Sequence, residues 1–152
     1  MPDVTEQQLI MASVDIAGFA KATRCIGDVE LFELLEAYYQ LVGDGVASAR
    51  GRVIKFMGDG ALVTFPAEAP ANAVGALRAL RREVEAWLAE HPIGEWVAVR
   101  AHLGCVACGE LGTADDRRYD IIGHAVVELF RMTYAGFELS AALQEALDTA
   151  GG

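Results

Sequence analysis

Arg52-Val-Ile-Lys-Phe-Met-Gly-Asp-Gly-Ala-Leu-Val-Thr-Phe65 is the stretch that decides the fold. Two runs rich in β-branched and aromatic residues flank Gly58-Asp59-Gly60, which marks a hairpin with a tight turn. Before it, Val29, Phe32, Leu35, Tyr39 and Val42 recur every three or four residues. That period predicts a helix from Asp28, the expected N-cap, to about Ala49. After it, a break at Pro66 to Pro70 leads to Val74, Leu77, Leu80, Val84 and Leu88. These predict a second amphipathic helix from about Ala71 to Glu90, with Arg78, Arg81 and Arg82 on its solvated face.

Working outward, Leu9 to Val14 is a short apolar run that ends at Asp15 and enters a turn at Gly18, so it reads as a strand. Trp96 to Leu103 and Cys105 to Leu111 read as two strands joined at Gly104. A polar loop, Thr113 to Arg118, precedes a short strand at Tyr119 to Ile122, and helical period resumes over Ala125 to Tyr134. A last helix near Ser140 to Leu147 takes Ser140 as its cap, and Thr149 to Gly152 is expected to fray. The order is that of a split βαββαβ unit. The expected fold is therefore α+β: a ferredoxin-like antiparallel sheet with helices on one face, in one domain spanning residues 1–152. The first strand is expected beside the second, and the uncovered face of the sheet is the natural dimer surface.

Composition narrows the partners. The 152 residues carry 12 Lys and Arg against 22 Asp and Glu, a formal net charge of −10. Nucleic acid and anionic membranes attract basic surfaces, so neither is an expected partner. A hydrophobic fraction of 53% excludes disorder. A mean hydropathy of +0.28 is high for a small domain and points to a buried subunit interface. No stretch suits a membrane span, and Asp3 and Glu6 before the first apolar run argue against a signal peptide. With only three cysteines, Cys25, Cys105 and Cys108, a reduced cytoplasmic protein is expected. Cys105-Val-Ala-Cys108 has redox spacing, but a strand puts residues three apart on opposite faces. His91, His102 and His124 form no metal-ligand spacing.

Two carboxylates carry the chemistry. Asp15 ends an apolar strand, where a charge is costly unless paired or bound to a cation. Asp59 alone is what a tight Asp-Gly turn takes anyway. Together, a strand end and a hairpin tip on neighbouring strands could hold one or two Mg²⁺ ions, hard cations that prefer oxygen and leave room for phosphates. Ala17, Gly18, Phe19 and Ala20 follow directly, and amides of a glycine turn entering a helix suit phosphate oxygens.

Val14-Asp-Ile-Ala-Gly-Phe19, Arg52-Val-Ile-Lys-Phe-Met-Gly-Asp-Gly60 and Val99-Arg-Ala-His-Leu-Gly104 resemble segments of the class III nucleotidyl cyclase catalytic domain. Gly109-Glu-Leu-Gly112 and Tyr119-Asp-Ile-Ile-Gly123 continue the resemblance in order, through Arg131. It implies a head-to-tail homodimer with shared active sites that converts ATP to 3′,5′-cyclic AMP and pyrophosphate. It also implies two Mg²⁺ or Mn²⁺ ions held at Asp15, Ile16 and Asp59. Ala17 to Ala20 and Arg100 would hold the pyrophosphate. Lys55 and Asp120 of the partner would read adenine, and Arg131 would steady the developing phosphate charge.

There are two departures. Where the family has the asparagine that orients the ribose, this chain has Val127, which neither donates nor accepts a hydrogen bond. The loss of such a contact is worth about 2–4 kcal/mol of transition-state binding. The family also continues into a hairpin that supplies a lysine, and no lysine follows Lys55 here. The expectation is an adenylate cyclase of low activity. The alternative is an impaired relative that binds nucleotide and dimerises as a signalling module.

Overall fold

The computed structural model describes residues 3–151. In chain order the elements are β1 (Thr5–Ala17), α1 (Phe19–Ala22), α2 (Asp28–Ala47), β2 (Arg52–Met57), β3 (Gly60–Pro66), α3 (Pro70–Glu90), β4 (Trp96–Thr113), β5 (Asp116–Ile122), α4 (His124–Arg131), β6 (Phe137–Leu139) and α5 (Ala141–Gly151). The main path of the sheet runs β2-β3-β1-β4-β5, all antiparallel, with the short β6 alongside β4 in parallel. This is the expected α+β sheet with α2 and α3 on one face, but the opposite face, expected to be uncovered, is partly covered by α4.

Strand alternation explains how one sheet builds two cores. Ile10, Ala12, Val14 and Ile16 of β1 point into the larger cluster, where α2 and α3 cover the sheet through Tyr38, Val42, Val46, Leu77, Leu80 and Val84. Met11 points the other way and meets Leu62, Val106, Cys108 and Ile121. There α4 covers the sheet with Ala125 and Leu129, an addition to the βαββαβ core on the face opposite α2 and α3. The outer strands β2 and β5 bend towards each other across this second face. Arg52 lies 3.5 Å from the centre of the Tyr119 ring, and Lys55 Nζ lies 3.1 Å from Asp120 Oδ2.

The structure corrects several local expectations. The first strand pairs with β3, not with β2, because α2 crosses over and the hairpin returns to β1. Gly104 is not a joint between two strands. It sits within the continuous strand β4, opposite Leu9, and a Cβ there would stand 2.5 Å from the Ala125 Cβ. Its role is to let α4 approach the sheet. The loop expected at Thr113 to Arg118 is a tight hairpin whose ladder begins at Thr113 and Asp116. Strand β6 has too few residues to leave a periodic signal.

Helix ends shift in the same way. Asp28 lies inside α2, whose N-cap is Gly27, and there its charge favours the helix N-terminus. Helix α4 stops at Arg131, and Met132 is already extended. The expected cap at Ser140 holds, since Leu143 N donates to its Oγ at 3.2 Å. Helix α5 continues through Thr149 to Gly151 where fraying was expected, and Gly152 lies outside the described residues. Two of the three arginines expected to be solvated are engaged: Arg81 Nε donates to Val97 O at 3.0 Å, and Arg78 lies over the Phe137 ring.

Candidate active site

Asp15 and Asp59 meet. The β1–β3 register places Val14 opposite Ala61, so Asp15 reaches the start of β3 and the hairpin turn before it. The Ile16 amide donates to Asp59 Oδ2 at 3.1 Å. Ser13 Oγ donates to Asp15 Oδ2 at 2.8 Å. Asp15 Oδ1 faces Gly60, where a Cβ would come within 2.7 Å of it. Glycine at position 60 therefore keeps the two carboxylates on abutting strand ends. Burial raises the Asp59 carboxyl above its ordinary value, the charge of Asp15 adds to this, and the amides of Ile16 and Asp59 oppose it.

The turn that carries Asp59 is held from α2. Tyr38 Oη donates to Asp59 O at 2.8 Å, and Tyr39 Oη donates to Gly58 O at 2.6 Å. Tyr38 is fully buried, and its ring stacks near Trp87 with centroids 6.4 Å apart. Tyr39 stacks on Phe56 at 3.8 Å. Burial, and secondarily Asp15 and Asp59, push the Tyr38 hydroxyl far above the usual phenol range, so it stays a donor. Sequence periodicity identifies Tyr39 only as a helix-face residue, and nothing local marks Tyr38 or Ser13.

Arg100 departs from the expected pyrophosphate role. It is 9% exposed and turned inward. Its Nη1 donates to Phe130 O and Met132 O at 3.1 and 3.4 Å, while Nη2 donates to Ser13 Oγ at 3.1 Å and lies 3.8 Å from Asp15 Oδ2. The alternation of β4 aims it at the second face, where the C-terminal carbonyls of α4 attract it. To meet a phosphate it would have to abandon these partners. As found, it braces Asp15 and the end of α4.

The other expected residues fall into separate groups. Lys55 and Asp120 form an ion pair at 3.1 Å, half-exposed on the lysine side. Asp120 borders an apolar cavity of about 200 Å³ lined also by Val4, Ala107, Leu111 and Ile122. A larger cavity of about 470 Å³, lined by Gln8, Arg50, Arg52, Thr64 and Glu68, touches none of the expected site residues. Arg131 and Val127, four apart on α4, are both exposed on one face of that helix. Ala17 to Ala20 forms a turn with Gly18 at φ 75°, in which Ala22 N donates to Gly18 O at 2.9 Å. Glu95 stands against this turn and would meet a Cβ on Gly18 at 3.1 Å.

The remaining candidates are structural. Cys105 is exposed and Cys108 buried, on opposite faces as expected. His102 bridges Ser140 Oγ and Glu128 Oε2, each at 2.8 Å, tying α4 to the start of α5.

The donors suit a hard divalent cation of incomplete protein coordination. No group of three or more His, Cys, Asp or Glu that could hold a metal occurs among the described residues. Asp15 and Asp59, with the Ile16 carbonyl as an expected third donor, would supply only part of a coordination shell. Mg²⁺ and Mn²⁺ accept that arrangement, because water and substrate phosphates complete it.

No protein-family model matches the chain. An uncharacterized protein of Mycobacterium tuberculosis is 28% identical over 132 residues, covering 84% of this chain and 23% of the relative. An adenylate cyclase of Streptomyces coelicolor is 35% identical over 57 residues, 38% of this chain and 15% of that protein. The chain thus spans about a quarter or less of the length of the curated relatives it matches. Among solved structures, the adenylyl cyclase CyaB from P. aeruginosa superposes with a TM-score of 0.86 at 21% identity, over 97% of this chain and 83% of that one. The guanylate cyclase domain from Catenaria anguillulae, in complex with GTP, gives a TM-score of 0.78 at 15% identity, over 94% and 84% of the two chains. The chain has the fold of class III adenylyl and guanylyl cyclase catalytic domains.

Proposed function

We propose that this domain is a nucleotidyl cyclase, with ATP as substrate and 3′,5′-cyclic AMP and pyrophosphate as products. The observation that carries the reading is the Asp15–Asp59 junction: two carboxylates from distant parts of the chain, on abutting strand ends, beside a glycine turn. In the reaction the ribose 3′-oxygen attacks the α-phosphorus and the bond to the bridging oxygen of pyrophosphate breaks. The 3′-hydroxyl proton passes to solvent. Mg²⁺ or Mn²⁺, when bound at Asp15, Asp59 and Ile16, would acidify that hydroxyl and neutralise phosphate charge.

The chain's own residues do the rest. Amides of Ala17 to Ala20 would meet phosphate oxygens. Glu95 beside that turn makes screening by cations more necessary. In a head-to-tail homodimer, Lys55 and Asp120 of one protomer would face the base bound by the other. A lysine donor to adenine N1 and an aspartate acceptor for the N6 amino group favour ATP over GTP. The cavity beside Asp120, lined by Val4, Leu111 and Ile122, offers the base an apolar wall. Arg131, exposed and without an ion-pair partner among the described residues, is free to meet an α-phosphate. Arg100 keeps a bracing role in this reading.

A second reading has its own support. Val127 is 49% exposed on the same face of α4 as Arg131, where a hydrogen-bonding side chain would orient the ribose. Without it, turnover falls by roughly 10²–10³-fold, and the domain would serve as a nucleotide-binding dimerisation module. Incubation of the purified protein with ATP and Mn²⁺ separates the two. Cyclic AMP release that Asp59→Ala abolishes supports the cyclase. Product no greater than that variant's, with calorimetric Mn²⁺-ATP binding retained, supports the module. Absence of both sinks the nucleotide reading altogether.

A further inference from the structure

Tyr38 and Tyr39 take no part in the proposed reaction, yet both hydroxyls end on the turn that carries Asp59. Adjacent helix residues point about 100° apart, so a single helix can grip two neighbouring carbonyls from different sides. Tyr38 reaches Asp59 O at 2.8 Å from within the core, and Tyr39 reaches Gly58 O at 2.6 Å from the surface. Each ring is itself fixed, Tyr38 by burial and the nearby Trp87, Tyr39 by its stack on Phe56. Phe56 belongs to β2 of the same hairpin, opposite Ala61. Gly58 lies at φ 62°, the left-handed region that a tight turn uses.

We infer that Tyr38 and Tyr39 are positioning residues that pre-set the Asp59 turn for divalent cation binding. The inference rests on the reading of Asp15 and Asp59 as cation ligands. A hairpin tip held only by its own strands would have to be ordered when the ion binds, and that ordering would weaken affinity. With both carbonyls engaged, the Asp59 carboxylate stays where the Ile16 amide also holds it. Supporting contacts of this kind are typically worth 10–100-fold in metal affinity.

The test is Mn²⁺ titration of the full chain, with free Mn²⁺ followed by electron paramagnetic resonance. Asp15→Asn is expected to abolish binding. The double variant Tyr38→Phe, Tyr39→Phe keeps both rings and removes only the hydroxyls; its Mn²⁺ Kd is expected to rise about tenfold. Val42→Ala, a core truncation on the same helix, lowers the melting temperature and is expected to leave Mn²⁺ affinity unchanged. That control separates positioning from general loosening. Should the double variant fail to fold, Tyr39→Phe alone carries the test, with an expected rise of about threefold. Wild-type affinity in the tyrosine variants overturns the positioning role while leaving the cation site standing. A wild-type chain that binds no Mn²⁺, or an Asp15→Asn variant that binds as wild type, overturns both.

Discussion

The amide of Ile16 donates to the carboxylate of Asp59 at 3.1 Å across a separation of 43 residues. This bond locks the strand that carries Asp15 to the hairpin that carries Asp59. It also spends one carboxylate oxygen on the fold. The acidic pair is therefore part of the architecture as well as the candidate chemistry, and the two uses can be separated by substitution.

Asp59→Asn keeps an oxygen for the Ile16 amide but removes the negative charge beside Asp15. In the metal-free protein this variant should melt higher than wild type at pH 7, by about 2–4 °C, the scale of about 1 kcal/mol at this size. It should also bind no Mn²⁺. Differential scanning calorimetry with and without Mn²⁺ checks both halves. A lower melting temperature without metal would show that the carboxylate stabilises the fold.

The pH dependence follows from the raised Asp59 carboxyl. Cation binding needs the ionised form, so Mn²⁺ affinity should fall as pH drops through the raised value, with a midpoint above the ordinary 3.8. Stability of the metal-free chain runs the opposite way for this one group. Its contribution is fully present below 3.8 and is lost as pH rises through the folded-state value. The difference in melting temperature between wild type and Asp59→Asn should therefore shrink on acidification. A constant difference between pH 7 and pH 4 would contradict the assignment.

Ser13→Ala removes, from a residue that is 1% exposed, a hydroxyl that donates to Asp15 and accepts from Arg100. A buried hydrogen bond of this kind is worth about 1–2 kcal/mol. Urea unfolding should show that loss as a lower midpoint at unchanged slope. Asp15 also loses its brace, so Mn²⁺ should bind more weakly. An unchanged midpoint would mean that Arg100 and Asp15 hold each other without the serine.

Lys55 and Asp120 make the reverse case. The lysine side chain is 44% exposed, so the pair contributes less than about 1 kcal/mol. Lys55→Gln should leave the melting temperature within about 2 °C of wild type while eroding discrimination between ATP and GTP. Competition binding with the two nucleotides reads this directly, and an unchanged ratio would remove Lys55 from base reading.

Gly104→Ala tests the packing of α4. The added methyl would come 2.5 Å from the Ala125 Cβ, so helix and sheet must part. Overpacking of this kind costs about 1–3 kcal/mol. The same substitution in a strand joint would be nearly silent, and a silent result would restore the two-strand reading of this region.

Much of this was legible in local pattern. Short apolar runs placed β1 and the hairpin, whose central residues are buried on both faces of the sheet, and a period of three to four placed α2 and α3, each of which buries one face. Asp15 stood out because a carboxylate ending an apolar strand requires explanation, and Asp59, ordinary in a tight turn, gained meaning only beside it. The resemblance of the ordered motifs to class III cyclase domains is matched by the fold.

Other features had no local signature. Gly104 reads as a turn in isolation, and only the approach of Ala125 reveals a strand glycine under a helix. The inward Arg100 depends on carbonyls 30 and 32 residues away. Tyr38 meets its acceptor across 21 residues. Sequence by itself determined the βαββαβ order, which follows from short-range spacing of apolar residues, and marked Asp15 as a charge at the end of an apolar run; the β1–β3 register decided that Asp15 meets the Asp59 turn. Tertiary structure alone decided which oxygens remain available and which arginine is already engaged. Hydrogen-bond partners at such separations are set by strand register and packing, which no local window contains.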